Sequence, residues 1–184
     1  MRVDVMEAMP VDLLEAAWRL YNDAFEELRT AAVQRHLMLR HEFDEMMRDV
    51  RIAKYVCSDS GRDGRMCAMA TLTTRLEALP LISPDYFERR WPDQFAEGRV
   101  FYIGFVAVHP DFRGAGAFEF VVTELYRTVA AGKGVAVLDV CRRNEQMFQL
   151  PQAIHRVLES LADRVRSNSI DHQSYWSYEF PSHG

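Results

Sequence analysis

Arg113, Gly114, Ala115, Gly116 and Ala117 carry the chemistry that is easiest to read from this chain. They follow an apolar run that closes at Val108-His109-Pro110, and they lead directly into an amphipathic helical pattern. Two glycines among small residues, placed between a strand and a helix, leave backbone N–H groups uncovered at a helix N-terminus. Such a nest binds anions, phosphate above all. Without side chains at Gly114 and Gly116 a phosphate can approach the amides closely, and Arg113 adds a charge-assisted bond from the side. The same spacing also suits a strand–turn–helix whose glycines only make the turn.

Val106-Ala107-Val108-His109-Pro110-Asp111-Phe112-Arg113-Gly114-Ala115-Gly116-Ala117 resembles the acyl-CoA signature of the GNAT superfamily of N-acyltransferases. In that family a central strand ends in V-x-P and is followed by Q/R-x-x-G-x-G/A, whose amides wrap the coenzyme A pyrophosphate. The pattern is matched at Val108, Pro110, Arg113, Gly114, Gly116 and Ala117. It departs at Asp111, where the family carries Gln or Arg; an Asp there repels a pyrophosphate unless it points away or caps the helix. The resemblance implies that Arg113 to Ala117 hold the pyrophosphate and that the backbone of Phe105, Val106, Ala107 and Val108 bonds the pantetheine amides. Val140 and Asn144 reproduce a further V-x-x-x-N pattern, in which the Asn touches the pantetheine arm or braces its loop. An Asn after a strand is also a common turn or cap residue.

What the resemblance implies about activity is transfer of an acetyl or other short acyl group from coenzyme A to a primary amine by direct attack. Acetyl-CoA or another acyl-CoA is then the co-substrate, with no metal, and the acceptor is a small-molecule or peptide amine. A backbone N–H on the central strand polarises the thioester carbonyl, alignment of amine and thioester supplies rate, and a base frees the amine. The sequence names neither base nor acid. Where relatives place Glu on the central strand this chain has Gly104, and where they place a Tyr acid it has Val157. Tyr102, Cys141, His109, His155, Glu119 and Glu124 all have ordinary structural readings, so the catalytic residues stay unassigned. Two alternatives follow: a non-catalytic acyl-CoA-binding module of the same fold, and a longer-chain acyltransferase resembling acyl-homoserine lactone or N-acyl amino acid synthases.

The elements that must position these residues follow from periodicity. Residues 2–8 alternate as a short strand. Leu14, Ala17, Trp18, Tyr21, Ala24, Phe25 and Leu28 recur at helical spacing through Arg29, and a less regular helical stretch covers residues 32–49 with a break near His41. Residues 51–58 and 65–74 read as strands joined by a turn at Ser60-Gly61-Arg62-Asp63-Gly64. Phe118, Val121, Val122, Leu125 and Val129 stripe the helix after the glycine turn, which closes at Gly132-Lys133-Gly134. Residues 135–141 read as a buried strand, and Pro151 opens a helix carrying Ile154, Val157, Leu158, Leu161 and Val165. Residues 173–180 alternate as a last strand. The order predicts an α/β fold, a GNAT-like mixed central sheet flanked by helices on both faces, as a single domain over residues 1–184.

The connection over residues 75–99 is long for a compact domain. Its Tyr86, Phe87, Trp91 and Phe95 suggest order, with Ser83 as a cap and Pro84 opening a short helix through Arg90. It reads either as a wall for the acceptor or an acyl chain, or as an edge decoration packed on the first two helices.

Composition sets the outer limits. A chain of 184 residues with 48% hydrophobic and 27% charged residues is that of an ordinary globular domain with a substantial core. A net charge of −5 disfavours nucleic acid and anionic membrane as partners. Cys57, Cys67 and Cys141 are odd in number and lack metal-ligand spacing. Neither a leader pattern nor a spanning-length apolar run is present, so a reducing cytoplasm is the expected setting. Tyr175 and Trp176 on the terminal segment are the candidate pairing edge of a homodimer.

Overall fold

The computed structural model describes residues 1–31, 37–61 and 64–180. Five strands form one sheet in the order β1 (Arg2–Met6), β2 (Ala53–Asp59), β3 (Arg65–Thr73), β4 (Val100–Val108) and β5 (Val135–Leu138). The first four pair antiparallel, and β4 pairs parallel with β5 through the crossover helix α6 (Ala117–Ala131). The sheet is therefore mixed, as expected. A parallel neighbour requires such a crossover, and the residues after the glycine turn supply it.

Helices cover both faces. On one, α1 (Val11–Phe25) and α3 (Arg40–Arg48) bury Leu14, Ala17, Tyr21, Phe43 and Met47 against Val56, Met69 and Ala107. On the other, α6 buries Ala117, Val121 and Leu125 against Tyr55, Cys57, Ala68 and Ala70. Side chains alternate across a strand, so near-continuous burial along β3 reports this double cover. The striped residues of α6 pack as the spacing predicts, except that Phe118 is only half-buried.

Several boundaries differ from the sequence reading. The first helix stops at Phe25, and Leu28–Ala31 forms a separate turn, α2. Glu26 and Glu27 fall at the negative end of the helix dipole, where carboxylates are unfavourable. The stretch expected over residues 32–49 is helical only from Arg40, and α3 runs unbroken through His41. Its start is fixed by Glu42, whose carboxylate accepts from the Leu39 N–H at 2.5 Å. Residues 32–36 lie outside the described residues, as do Arg62 and Asp63 of the expected hairpin turn. The strand expected over residues 135–141 ends at Leu138.

The long connection folds into a 3₁₀ turn and two short helices, α4 (Pro84–Arg90) and α5 (Pro92–Ala96). Pro84 opens α4 as expected, although the Ser83 side chain makes no capping bond. Phe87, Trp91 and Phe95 pack into a third cluster with Ile52, Leu76, Val100, Tyr102 and Val137. This is the edge-decoration reading, with α3 as the helical neighbour through Met46.

Beyond it come α7 (Arg142–Gln146) and α8 (Leu150–Glu159). Helix α8 ends before Leu161 and Val165; the Ser160 hydroxyl donates to the Val157 carbonyl at 2.6 Å and competes for the terminal acceptors. The last strand expected from sequence is absent. Residues 173–180 carry no strand, and Trp176, Tyr178 and Phe180 are 79%, 79% and 89% exposed. Strand preference expresses fit to a half-buried pleated surface, and alternation alone supplies no such surface.

Candidate functional site

The glycine turn is built from the strand outward. Pro110–Phe112 forms a 3₁₀ turn at the end of β4, and Phe112 is buried under α6. Gly114 and Gly116 then take positive φ of 76° and 82°, a region that costs an L side chain about 1–2 kcal/mol. That backbone path turns the chain into α6. Among the described residues the amides of Gly114, Gly116, Ala117, Phe118 and Glu119 donate to nothing, and the first helical bond runs from Phe120 to the Gly116 carbonyl. The nest is thus free where it faces outward. In two members of the expected set, Arg113 and Ala115, the amides close the turn internally onto the Pro110 and Phe112 carbonyls, at 3.2 and 3.1 Å. The Arg113 guanidinium reaches the Ala24 carbonyl at the end of α1, at 3.2 Å.

Asp111, the departure from the signature, points away from the nest. Its carboxylate pairs with Arg65 at 3.2 Å, and its own N–H donates to His109 Nδ1 at 3.1 Å. Arg65 also lies 2.8 Å from His109 Nε2 and stacks over Phe112. His109 therefore belongs to a cluster that braces the strand end.

The second feature is a fork in the sheet. The β4–β5 ladder ends at Ile103↔Leu138, and β4 continues to Val108 with no strand on that side among the described residues. At the fork β4 also bulges. Thr71 opposes Phe105 and Leu72 opposes Ile103, which leaves Gly104 as an extra residue. The bulge returns Phe105 and Ala107 to the α1 face, while Val106 and Val108 face α6. Backbone of Val106 and Val108 thus faces the open side from the fork to the nest, while Ala107 between them is turned toward β3; the stretch is about 16 Å from Gly104 to His109 at strand rise.

Directly after the last β5 pair stands Asp139, across the fork from Gly104. Tyr102 is buried among Phe87, Val100 and Val137, and its hydroxyl donates to Asp139 Oδ1 at 2.8 Å. Burial raises the Tyr102 pKa, and the neighbouring carboxylate raises it further, so the hydroxyl keeps its proton. Asp139 itself is exposed. Sequence reading passed over it; the signal available was its place as the first polar residue after an apolar strand, where open α/β sheets bind ligands.

The remaining candidates separate. Asn144 lies half-buried on α7, and its amide has no partner among the described residues. Cys141 packs half-buried against the α1-side cluster that includes Phe105. Val157 sits on α8, and His155 is occupied by Glu159 and Ser167. Glu119 is exposed and Glu124 pairs with Arg127 on α6. A cavity of about 270 Å³ opens between Ala31 and Arg142, Arg143, Gln146 and Met147; neither the nest nor Asp139 lines it. Among the described residues no helix is long and apolar enough to cross a membrane.

No protein-family model and no curated protein matches this sequence. Solved structures do match in fold. One is an aminoglycoside acetyltransferase from an uncultured soil metagenomic sample, solved with sisomicin, at 8% identity and TM-score 0.56 over 96% of both chains. Another is a probable acetyltransferase, at 13% identity and TM-score 0.57 over 97% of this chain and 100% of that one. A third is the ribosomal-protein-alanine N-acetyltransferase of Brucella melitensis biovar Abortus 2308, at 11% identity and TM-score 0.52 over 95% and 99%. The chain has the fold of the GNAT acyl-CoA N-acyltransferases.

Proposed function

We propose that the protein is an acyl-CoA-dependent N-acyltransferase that moves an acetyl or other short acyl group to a primary amine by direct attack. The observation that carries this reading is the free nest at Gly114, Gly116, Ala117, Phe118 and Glu119, joined by free β4 backbone to the bulge at Gly104. In this reading the nest amides and the Arg113 side chain hold the pyrophosphate, with Ala115 keeping the turn closed. Val106 and Val108 bond the pantetheine with Ala107 held to β3 between them, Asn144 braces its arm, and the thioester lies at the fork. A backbone N–H at the bulge then faces the carbonyl oxygen on which charge develops.

A second reading, acyl-CoA binding without turnover, is favoured by Gly104 and Val157, which carry no proton to transfer. The longer-chain reading loses its support, because Phe87, Trp91 and Phe95 pack into the core. The test combines calorimetric binding of acetyl-CoA with thiol release across a panel of primary amines. Binding with release supports transfer, binding with silence at every amine selects the second reading, and no binding overturns both.

A further inference from the structure

The fork holds a carboxylate that the fold does not need as a charge. Tyr102 requires an acceptor, since a buried phenol hydroxyl must be satisfied, and Asp139 Oδ1 meets that need at 2.8 Å. Any neutral acceptor would serve Tyr102 equally. The second oxygen of Asp139 has no hydrogen-bond partner, and no Arg or Lys pairs with the carboxylate, among the described residues. Its placement is fixed from two sides. Leu138 is the last residue paired to β4, so Asp139 starts where the strands part. Val135 and Val137 pack into the Tyr102 cluster, and two-residue alternation turns Asp139 to the same face.

On the reading proposed above, we infer that Asp139 is the base that takes the proton from the acceptor amine, with Tyr102 as the residue that positions it. Three other candidate proton carriers are ruled out by position. His109 lies about 16 Å up the strand from the bulge. Glu119 and Glu124 sit on α6, which covers the opposite face from Tyr102, and Gly104 has no side chain. An unpaired carboxylate at an exposed fork also attracts a cationic amine before reaction.

The ammonium gives one proton to Asp139 Oδ2, and the freed nitrogen lone pair forms the C–N bond at the thioester carbonyl. The C–S bond then breaks with its electron pair on sulfur. The second nitrogen proton passes to that sulfur, yielding amide and free thiol, and Asp139 returns its proton to solvent.

The test measures Asp139→Asn and Asp139→Ala beside the wild type at about pH 9, using the best alkyl amine from the panel, which remains an ammonium there, and hydrazine, whose lower basicity leaves it largely neutral. The expected result is a kcat loss of about 10²–10⁴-fold with the alkyl amine, a much smaller loss with hydrazine, and unchanged acetyl-CoA affinity. Added formate restores part of the Asp139→Ala rate. Equal losses with both nucleophiles, or no loss with either, overturn the base while leaving the acyltransferase reading intact. A wild type that binds acetyl-CoA but transfers to no amine overturns that reading and the base together.

Discussion

The hydroxyl of Thr71 occupies the space that a side chain on Gly104 would need: a Cβ at that position would stand 2.7 Å from Thr71 Oγ1. Thr71 is 1% exposed on the strand that faces the bulge, and as a β-branched residue it turns aside with difficulty. The two residues therefore fit only as a pair, and a carboxylate at Gly104 is sterically barred. On the proposed reading, the proton acceptor is therefore supplied by the other arm of the fork.

Gly104→Ala is expected to destabilise the protein by about 1–3 kcal/mol, the usual cost of overpacking. Thr71→Ala removes the obstructing oxygen, so the double variant should lie well above the sum of the two single losses in a thermal-unfolding cycle. Strict additivity would show that the contact is relieved in another way.

At the nest, Gly116→Ala places a side chain at φ +82° where a phosphate must approach. Gly64→Ala is the control, with φ +70° and open space around its Cβ in the β2–β3 turn. Both variants should lose about 1 kcal/mol or more of stability through backbone strain. Only Gly116→Ala should weaken coenzyme A binding, by at least about tenfold, corresponding to 1.4 kcal/mol. Equal affinities for the two variants, read by calorimetry, would remove the nest from the binding site.

Much of this arrangement was legible in the chain itself. The nest stood out because small residues at fixed offsets between an apolar run and a helical stripe leave amides uncovered; the positive φ of Gly114 and Gly116 is a finding of the structure. The fork was not legible. It depends on Gly104 being one residue too many against β3, and a register count exists only once strands are paired. For the same reason Asp139 read as part of a strand, although pairing stops at Leu138. The terminal segment failed in the opposite direction: Trp176, Tyr178 and Phe180 alternate as a strand does, but among the described residues no edge receives them.

Tyr102→Phe keeps the ring in its cluster and removes the donor to Asp139. Stability should fall by about 1 kcal/mol, the net worth of one hydrogen bond. If Tyr102 orients the base, kcat for an alkyl amine should fall about tenfold while acetyl-CoA affinity is unchanged. Combining Tyr102→Phe with Asp139→Asn should add little further loss, since both act on one group. Multiplicative losses in the double variant would separate the tyrosine from the base.

Lys54 and Asp49 set the pH dependence of folding beneath the α1 face. The Lys54 ammonium is fully buried and donates to the carbonyls of Glu7 and Asp49, at 2.8 and 2.6 Å. Burial brings its pKa down from 10.5 to about 8. The folded state thus holds this proton less tightly than the unfolded chain, so the contribution of Lys54 to stability rises with pH between about 8 and 10.5. Asp49 is held at about 2, against an ordinary 3.8, chiefly by side-chain hydrogen bonds from Arg51. Its contribution is complete above the unfolded value and is lost as pH falls from about 4 toward 2. Unfolding midpoints of wild type and Lys54→Met should therefore draw apart in the wild type's favour above pH 8, and those of wild type and Asp49→Asn should converge below pH 4. A wild-type-minus-variant difference that stays flat across either window would show that the corresponding group titrates alike in the folded and unfolded chain.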